Sequence, residues 1–238
     1  MNHDYHERQY EQCYDTTRRL LEFIDDTVGD VGHQQLLDVA CGAGANVHHM
    51  LQRWRESKVT GVDLDESLLE YARGRTLPDN ASRCDYRRAN LFELPKLYES
   101  GAFNITTLMQ TLLLFGPDEY PEVLRSLMQV TRDWIFLSSL FTDKRMDVTA
   151  QIRDYVRFGE DSQEHISYNT SCMNRFRRVA TQLGAKEVIF RDFEISMDLT
   201  GPAAGGIGTY TARLADGRRL QFSGAVFMPW KLAAMRLR

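Results

Sequence analysis

Apolar positions along this chain follow two alternating rhythms. Residues 5–27 place Tyr10, Cys13, Tyr14, Leu20, Leu21 and Ile24 at roughly helical spacing between charged neighbours, which predicts an amphipathic helix. Gly29 and Gly32 end it. The apolar run 35–40 predicts a short buried strand, and Cys41-Gly42-Ala43-Gly44 turns the chain into a helix over 46–55 with Val47, Met50, Leu51 and Trp54 on one face. The rhythm repeats with a strand at 59–63, a helix at 67–73, a weaker strand at 85–89 and a strand at 103–110. A helix at 121–130 and a strand at 134–140 follow. Strand and helix alternating at this pitch predict a mostly parallel sheet covered by helices on both faces.

Past Phe141 the pattern changes. Residues 142–168 are polar and mixed, which predicts a loop with a short helix. Residues 171–183 are amphipathic and stop at Gly184, a helix C-terminal glycine. A strand over 186–196 and a flexible break at 200–206 come next. Alternating runs at 209–214 and 219–222 flank Asp216-Gly217, a hairpin signal, and 225–237 reads as a final apolar strand, with or without a turn. These segments predict one domain in four parts: an N-terminal helical cap (1–30), a sheet core (31–140), an insertion with its helix (141–185), and C-terminal antiparallel strands (186–238). The hairpin falls between the last two strands of the sheet.

Composition narrows what such a domain does. The 238 residues carry 29 Lys plus Arg against 33 Asp plus Glu, a net charge of −4, so no basic footprint for nucleic acid is expected. No run approaches the ~20 apolar residues of a membrane helix, and the polar first 15 residues do not read as a signal peptide. Cys13, Cys41, Cys84 and Cys172 are scattered without metal-ligand or disulfide spacing, as in reduced cytoplasmic proteins. No metal site is expected. A small-molecule partner fits this balance best.

The chemistry concentrates where strand turns into helix. In Asp38-Val-Ala40-Cys-Gly42-Ala-Gly44, glycines allow a tight turn and close approach of backbone to a ligand. Asp38 would repel a pyrophosphate but suits a ligand carrying an ammonium group. Asp63 ends the next strand 19 residues beyond Gly44, near the ~20-residue spacing of a ribose-binding acid. Its carboxylate can accept from both ribose hydroxyls, and Leu64 can pack on an adenine face. Gln110 follows the fourth strand, on the edge where open α/β sheets bind ligands.

This constellation resembles the class I S-adenosylmethionine-dependent methyltransferases, over about residues 36–140. Residues 38–44 look like the family's first motif, whose loop wraps the amino acid end of the cofactor, and Gly61-Val-Asp63 looks like its second. Asn90-Leu91 stands where the family usually has an acidic and a small residue near the adenine amino group. Asn104 replaces a more usual Asp and would offer its amide oxygen to adenine. The resemblance implies a Rossmann-like α/β fold with a seven-stranded, mostly parallel sheet, S-adenosyl-L-methionine as cofactor, and methyl transfer to an oxygen or nitrogen.

No Asn-Pro-Pro-Tyr or Pro-Cys motif of nucleic-acid methyltransferases follows the fourth strand, and no Asp cluster offers hard ligands to a divalent cation. A sugar or secondary metabolite is therefore the favoured acceptor. The alternatives are RNA or protein as acceptor, or a catalytically idle cofactor-binding module. On the acceptor side, His165 is the candidate general base, with a pKa near neutrality, and Tyr168 its neighbour. Tyr14, with Tyr10 one turn away, is the candidate for the cofactor carboxylate. Arg153 and Arg157 read as a solvated face. The C-terminal hairpin would either wall the acceptor pocket or pair through its edge in a homodimer.

Overall fold

The structure is a computed structural model that describes residues 3–203 and 205–238. Residues 1, 2 and 204, which the expected cap and glycine break include, lie outside the described residues.

Five parallel strands form the centre: β1 (Gln35–Val39), β2 (Lys58–Asp63), β3 (Cys84–Arg88), β4 (Phe103–Met109) and β5 (Thr131–Thr142). Later strands are β6 (Val148–Ile152), β7 (Ile166–Cys172), β8 (Glu187–Asp192), β9 (Thr209–Arg213), β10 (Arg219–Ser223), β11 (Val226–Phe227) and β12 (Trp230–Arg236). The main sheet runs β3-β2-β1-β4-β5-β12-β8, with β12 antiparallel to both of its neighbours. These seven strands, mostly parallel as expected, are the main path of a nine-stranded sheet to which β6 and β7 also belong. Chain order steps outward from β1 to β3 and then returns to β4. The reversal leaves a crevice beyond the C-terminal ends of β1 and β4, where such sheets bind ligands.

Alternation along each strand sorts residues onto two cores. Leu37 and Val39 face α6 (Tyr120–Val130) and α8 (Met173–Leu183), packing with Leu124, Leu127 and Phe176. Leu36 faces the other layer, α2 (Asp15–Val28) and α3 (Ala45–Arg53), with Leu20, Ile24, Val47 and Met50. Two-sided burial explains the near-continuous apolar runs of the central strands. The further helices are α1 (His3–Glu11), α4 (Glu66–Arg75), α5 (Leu94–Leu97) and α7 (Tyr155–Phe158).

Two expectations need correction, and a third is met and extended. The cap is two helices, α1 and α2, because Tyr14 is extended (φ −63°, ψ 156°) and α2 starts afresh at Asp15, an acidic residue in its first turn. The break lets α1 lie across α3. Residues 142–168 hold a β-hairpin as well as a short helix: β6 pairs antiparallel with β7, and β7 continues parallel beside the end of β5. Its alternation was masked because β6 is largely exposed. The predicted hairpin at Asp216-Gly217 forms between β9 and β10, and β11 joins it as a third strand in a small separate sheet.

Candidate functional site

The loop between β1 and α3 is built by two glycines in left-handed backbone, Gly42 (φ 55°) and Gly44 (φ 83°), and by Ala40 in the same region at φ 56°. The loop is stitched to the sheet: the Cys41 amide donates to the Val62 carbonyl at 3.0 Å and the Gly44 amide to the Cys41 carbonyl at 3.0 Å. Asp63 completes the unit. Its Oδ2 accepts from the Gly42 amide at 2.8 Å and its Oδ1 from the Asp65 amide at 3.0 Å. Each oxygen keeps a further lone pair for a hydroxyl.

Asp38 is 1% exposed. The register pairs it with Thr107 of β4, whose hydroxyl donates to Oδ1 at 2.6 Å. Its Oδ2 is buried and has no partner among the described residues. Burial pushes the carboxyl up to about 7, and the charge of Asp63 adds to that, while hydrogen bonds from Thr107 and Asn46 oppose it. A buried carboxylate oxygen without a donor is costly.

Behind the loop, Tyr10 of α1 donates to the Ala43 carbonyl at 2.5 Å and its ring lies 5.0 Å from that of His48. Burial raises the pKa of both Tyr10 and Tyr86, so both hydroxyls stay protonated. His49 Nε2 reaches the Gln9 carbonyl at 2.8 Å, and burial, with His49 beside it, lowers the pKa of His48. These histidines serve the α1–α3 contact. Tyr14 is half-buried at the start of α2. Of the two tyrosines singled out in the sequence, Tyr10 makes a hydrogen bond to the loop at Ala43.

The residues expected on the adenine side follow β2 and β3. Asn90 caps the short helix at Leu91–Glu93, accepting from the Phe92 amide at 3.0 Å. Leu64 and Phe92 are 59% and 41% exposed, and Leu91 is half-buried. Asn104 is elsewhere. It sits at the opposite end of β4, accepting from the Gln35 amide and donating to Asp133, so it ties the sheet together and does not face the cofactor edge. The fourth strand runs toward the crevice, so Asn104, its second residue, lies near the far end.

Gln110 is exposed just past β4, in left-handed backbone (φ 54°), its amide donating to Ser138 Oγ at 3.0 Å. Tyr168 is half-buried on β7, packed against the cluster of Leu113, Leu140 and Met228 and 3.4 Å from Ser223 Oγ. His165 is exposed just before β7 and makes no hydrogen bond or ion pair with another described residue. Arg153 and Arg157 are exposed. The cofactor candidates thus gather at one crevice, Tyr168 lies toward its far side, and His165 stands apart. Sequence reasoning missed Thr107, Tyr86 and Asn46; Thr107 was reachable from strand register with Asp38. A 650 Å³ cleft lies farther along the edge, between Phe141, Met173, Phe190, Phe227 and Lys231, on the α8 face.

Left-handed backbone costs a non-glycine residue ~1 kcal/mol or more. Ala40→Gly is therefore expected to stabilise the protein by about 0.5–1 kcal/mol, less what the freer unfolded chain regains. A raised urea midpoint at unchanged slope checks it; a lowered one shows that Ala40 is not strained.

Residues 36–133 match the family described as a methyltransferase domain. Two curated relatives are the ubiquinone biosynthesis O-methyltransferases of Nitrosomonas europaea, 29% identical over 126 residues, and Bordetella avium, 32% over 122. The match takes in 50% of this chain and 49% and 48% of theirs, so the chain spans about half the length of these relatives. Among solved structures, the chain is similar to a putative methyltransferase of Haloferax volcanii in complex with the Trm112 activator (TM-score 0.63, 12% identity, 98% of this chain and 94% of that one). It is also similar to the magnesium protoporphyrin IX methyltransferase of Synechocystis with bound SAH (TM-score 0.57, 11% identity, 94% and 84%). β1, the glycine loop and Asp63 all lie inside the matched segment, so the part of the chain that is similar to a methyltransferase domain is the part that builds this crevice.

Proposed function

We propose that the protein transfers a methyl group from S-adenosylmethionine to an oxygen of a small molecule. The observation that carries this reading is the bonded unit of Gly42 and Asp63, a glycine loop and a ribose-type acid joined at the crevice. The residues present fit the cofactor. The unpartnered Oδ2 of Asp38 suits its ammonium, Asp63 its ribose hydroxyls, and Leu64, Asn90 and Leu91 its adenine.

When bound, the cofactor supplies an electrophilic methyl group on a sulfonium. The chain's own task is alignment and exclusion of water. The Gly42–Asp63 bond fixes the loop against the acid, and Tyr10 fixes it from behind. Tyr168 belongs to the acceptor side; its cluster includes Leu113, just past Gln110, and Trp230. Oxygen is favoured as the accepting atom because the relatives are named O-methyltransferases.

Titration calorimetry with S-adenosylmethionine tests the cofactor, and release of S-adenosylhomocysteine over a panel of hydroxylated small molecules tests the reaction. Asp63→Ala is expected to weaken cofactor binding at least about tenfold, the worth of one or two charge-assisted hydrogen bonds. Equal binding by both proteins would remove Asp63 from the site, and binding by neither would remove the cofactor.

A further inference from the structure

We infer that Trp230 is the residue that holds the methyl acceptor, its indole N–H donating to an oxygen on a flat, ring-bearing molecule seated under Phe193. This deepens the methyl-transfer reading and rests on it.

The floor is set by strand register. Met109 of β4 pairs with Ser138 of β5, and Ser138 with Leu232 of β12. The three residues thus form a row across the sheet at its C-terminal edge. Trp230 lies two residues from Leu232 and pairs with Leu140, so it shares that face one step nearer the edge. With Thr16, Gln110 and Phe193, these residues line a narrow slot. Gln110 belongs both to the slot and to the end of β4, so the slot adjoins the crevice assigned to the cofactor.

Within this setting the Trp230 indole N–H is buried and has no hydrogen-bond partner among the described residues. Native proteins seldom keep such a donor, since leaving it unpaired costs as much as several ordinary contacts return. Water does not satisfy it, because the slot has no room for a water molecule. An acceptor oxygen would. The lining mixes apolar and aromatic side chains (Met109, Phe193, Trp230, Leu232) with polar ones (Thr16, Gln110, Ser138), which suits a ring bearing oxygen atoms.

The roof lies outside the sheet. Phe193 begins the segment 193–208, which joins β8 to β9 without helix or strand in its described residues. Four carboxylates pin it: Asp15 accepts from both the amide and the hydroxyl of Ser196 at 2.6 Å, Asp154 accepts from the Ile207 amide at 2.8 Å, Glu194 accepts from the Arg219 amide at 2.6 Å, and Asp198 pairs with Arg213 and Arg219. The floor belongs to the sheet, whereas the roof is a loop held by hydrogen bonds, by ion pairs of Asp198 and by the packing of Phe193 on the α2–α3 side of the core. Admission of a ring requires Phe193 to lift.

Nitrogen-15 spectra of the full chain test this directly. The indole signal of Trp230 is identified by its loss in Trp230→Phe. The protein is saturated with S-adenosylhomocysteine, followed at the Gly42 and Gly44 amides, and then titrated with catechol as the probe. The expected result is a downfield move of the Trp230 indole proton, as a new hydrogen bond requires. Catechol should bind Trp230→Phe about tenfold more weakly, the worth of one hydrogen bond, with S-adenosylhomocysteine binding unchanged. An indole signal that stays in place, equal catechol affinity in the variant, or no catechol binding at all would overturn the assignment. Failure of the glycine amides to respond to S-adenosylhomocysteine would instead count against the cofactor reading, and catechol titrated into the free protein would still decide the role of Trp230.

Discussion

Gly44→Ala is expected to lower stability by roughly 2–5 kcal/mol, combining left-handed strain of ~1–2 kcal/mol with overpacking of ~1–3 kcal/mol. A methyl group there would stand 2.7 Å from the Tyr86 hydroxyl, 2.8 Å from the Ala72 Cβ and 2.9 Å from the Tyr10 hydroxyl. None of these can step aside. Tyr10 is held by its bond to the Ala43 carbonyl, Tyr86 is 7% exposed in the core, and Ala72 is fixed in α4. The residue two positions earlier gives the control. Gly42 has φ 55° and nothing within 4 Å of a built Cβ, so Gly42→Ala should cost only the conformational part, about 1 kcal/mol. That open space faces the ligand side of the loop in the proposed function, so Gly42→Ala should instead lose cofactor affinity. Urea unfolding of both variants, read with calorimetry, separates the effects. Equal stability losses would show that Gly44 is not pinned between α1, α4 and β3.

The contrast between these glycines shows what a sequence can carry. Strand, glycine loop, helix and a second strand ending in Asp63 are local patterns, and each was legible because its period or spacing lies within a few dozen residues. The β9–β10 hairpin was legible from the Asp216-Gly217 turn for the same reason. What stayed hidden depends on contacts between distant segments. Tyr86 and Tyr10 meet beside Gly44 only after β3 and α1 have packed. Asn104 misled because the motif places it near the cofactor in sequence, while the strand's direction carries it to the far end. The place of His165 was not legible because a residue type carries no position, and the ring is exposed just before β7. The 142–168 hairpin escaped because an exposed strand shows weak alternation, and its pairing is decided by the end of β5.

Cofactor affinity is expected to peak between about pH 7 and 8, falling about tenfold per pH unit on the acid side. The cause is Asp38. Its carboxyl, pushed up to about 7 by burial, ionises near 3.9 in the unfolded chain. Between those values the folded protein holds the extra proton, so Asp38 makes the free protein less stable as pH rises through that window, by up to the order of 4 kcal/mol once fully ionised. A ligand ammonium beside Oδ2 reverses the balance, because the bound state favours the ionised carboxyl. Binding below pH 7 must therefore expel a proton, and affinity follows the ionised fraction. Above about pH 8 the ligand's own α-amino group, with a pKa near 7.7–8.0, loses its charge and the other limb falls. Asp38→Asn should abolish the acid limb, weaken binding at the optimum, and stabilise the free protein above pH 7, where the wild type carries a buried charge. Calorimetry from about pH 5.5 to about pH 9, in two buffers of different ionisation heat, counts the proton directly. Constant affinity from about pH 5.5 to about pH 7.5 would mean that Asp38 is already ionised in the free protein, and that its second oxygen is not waiting for a cation.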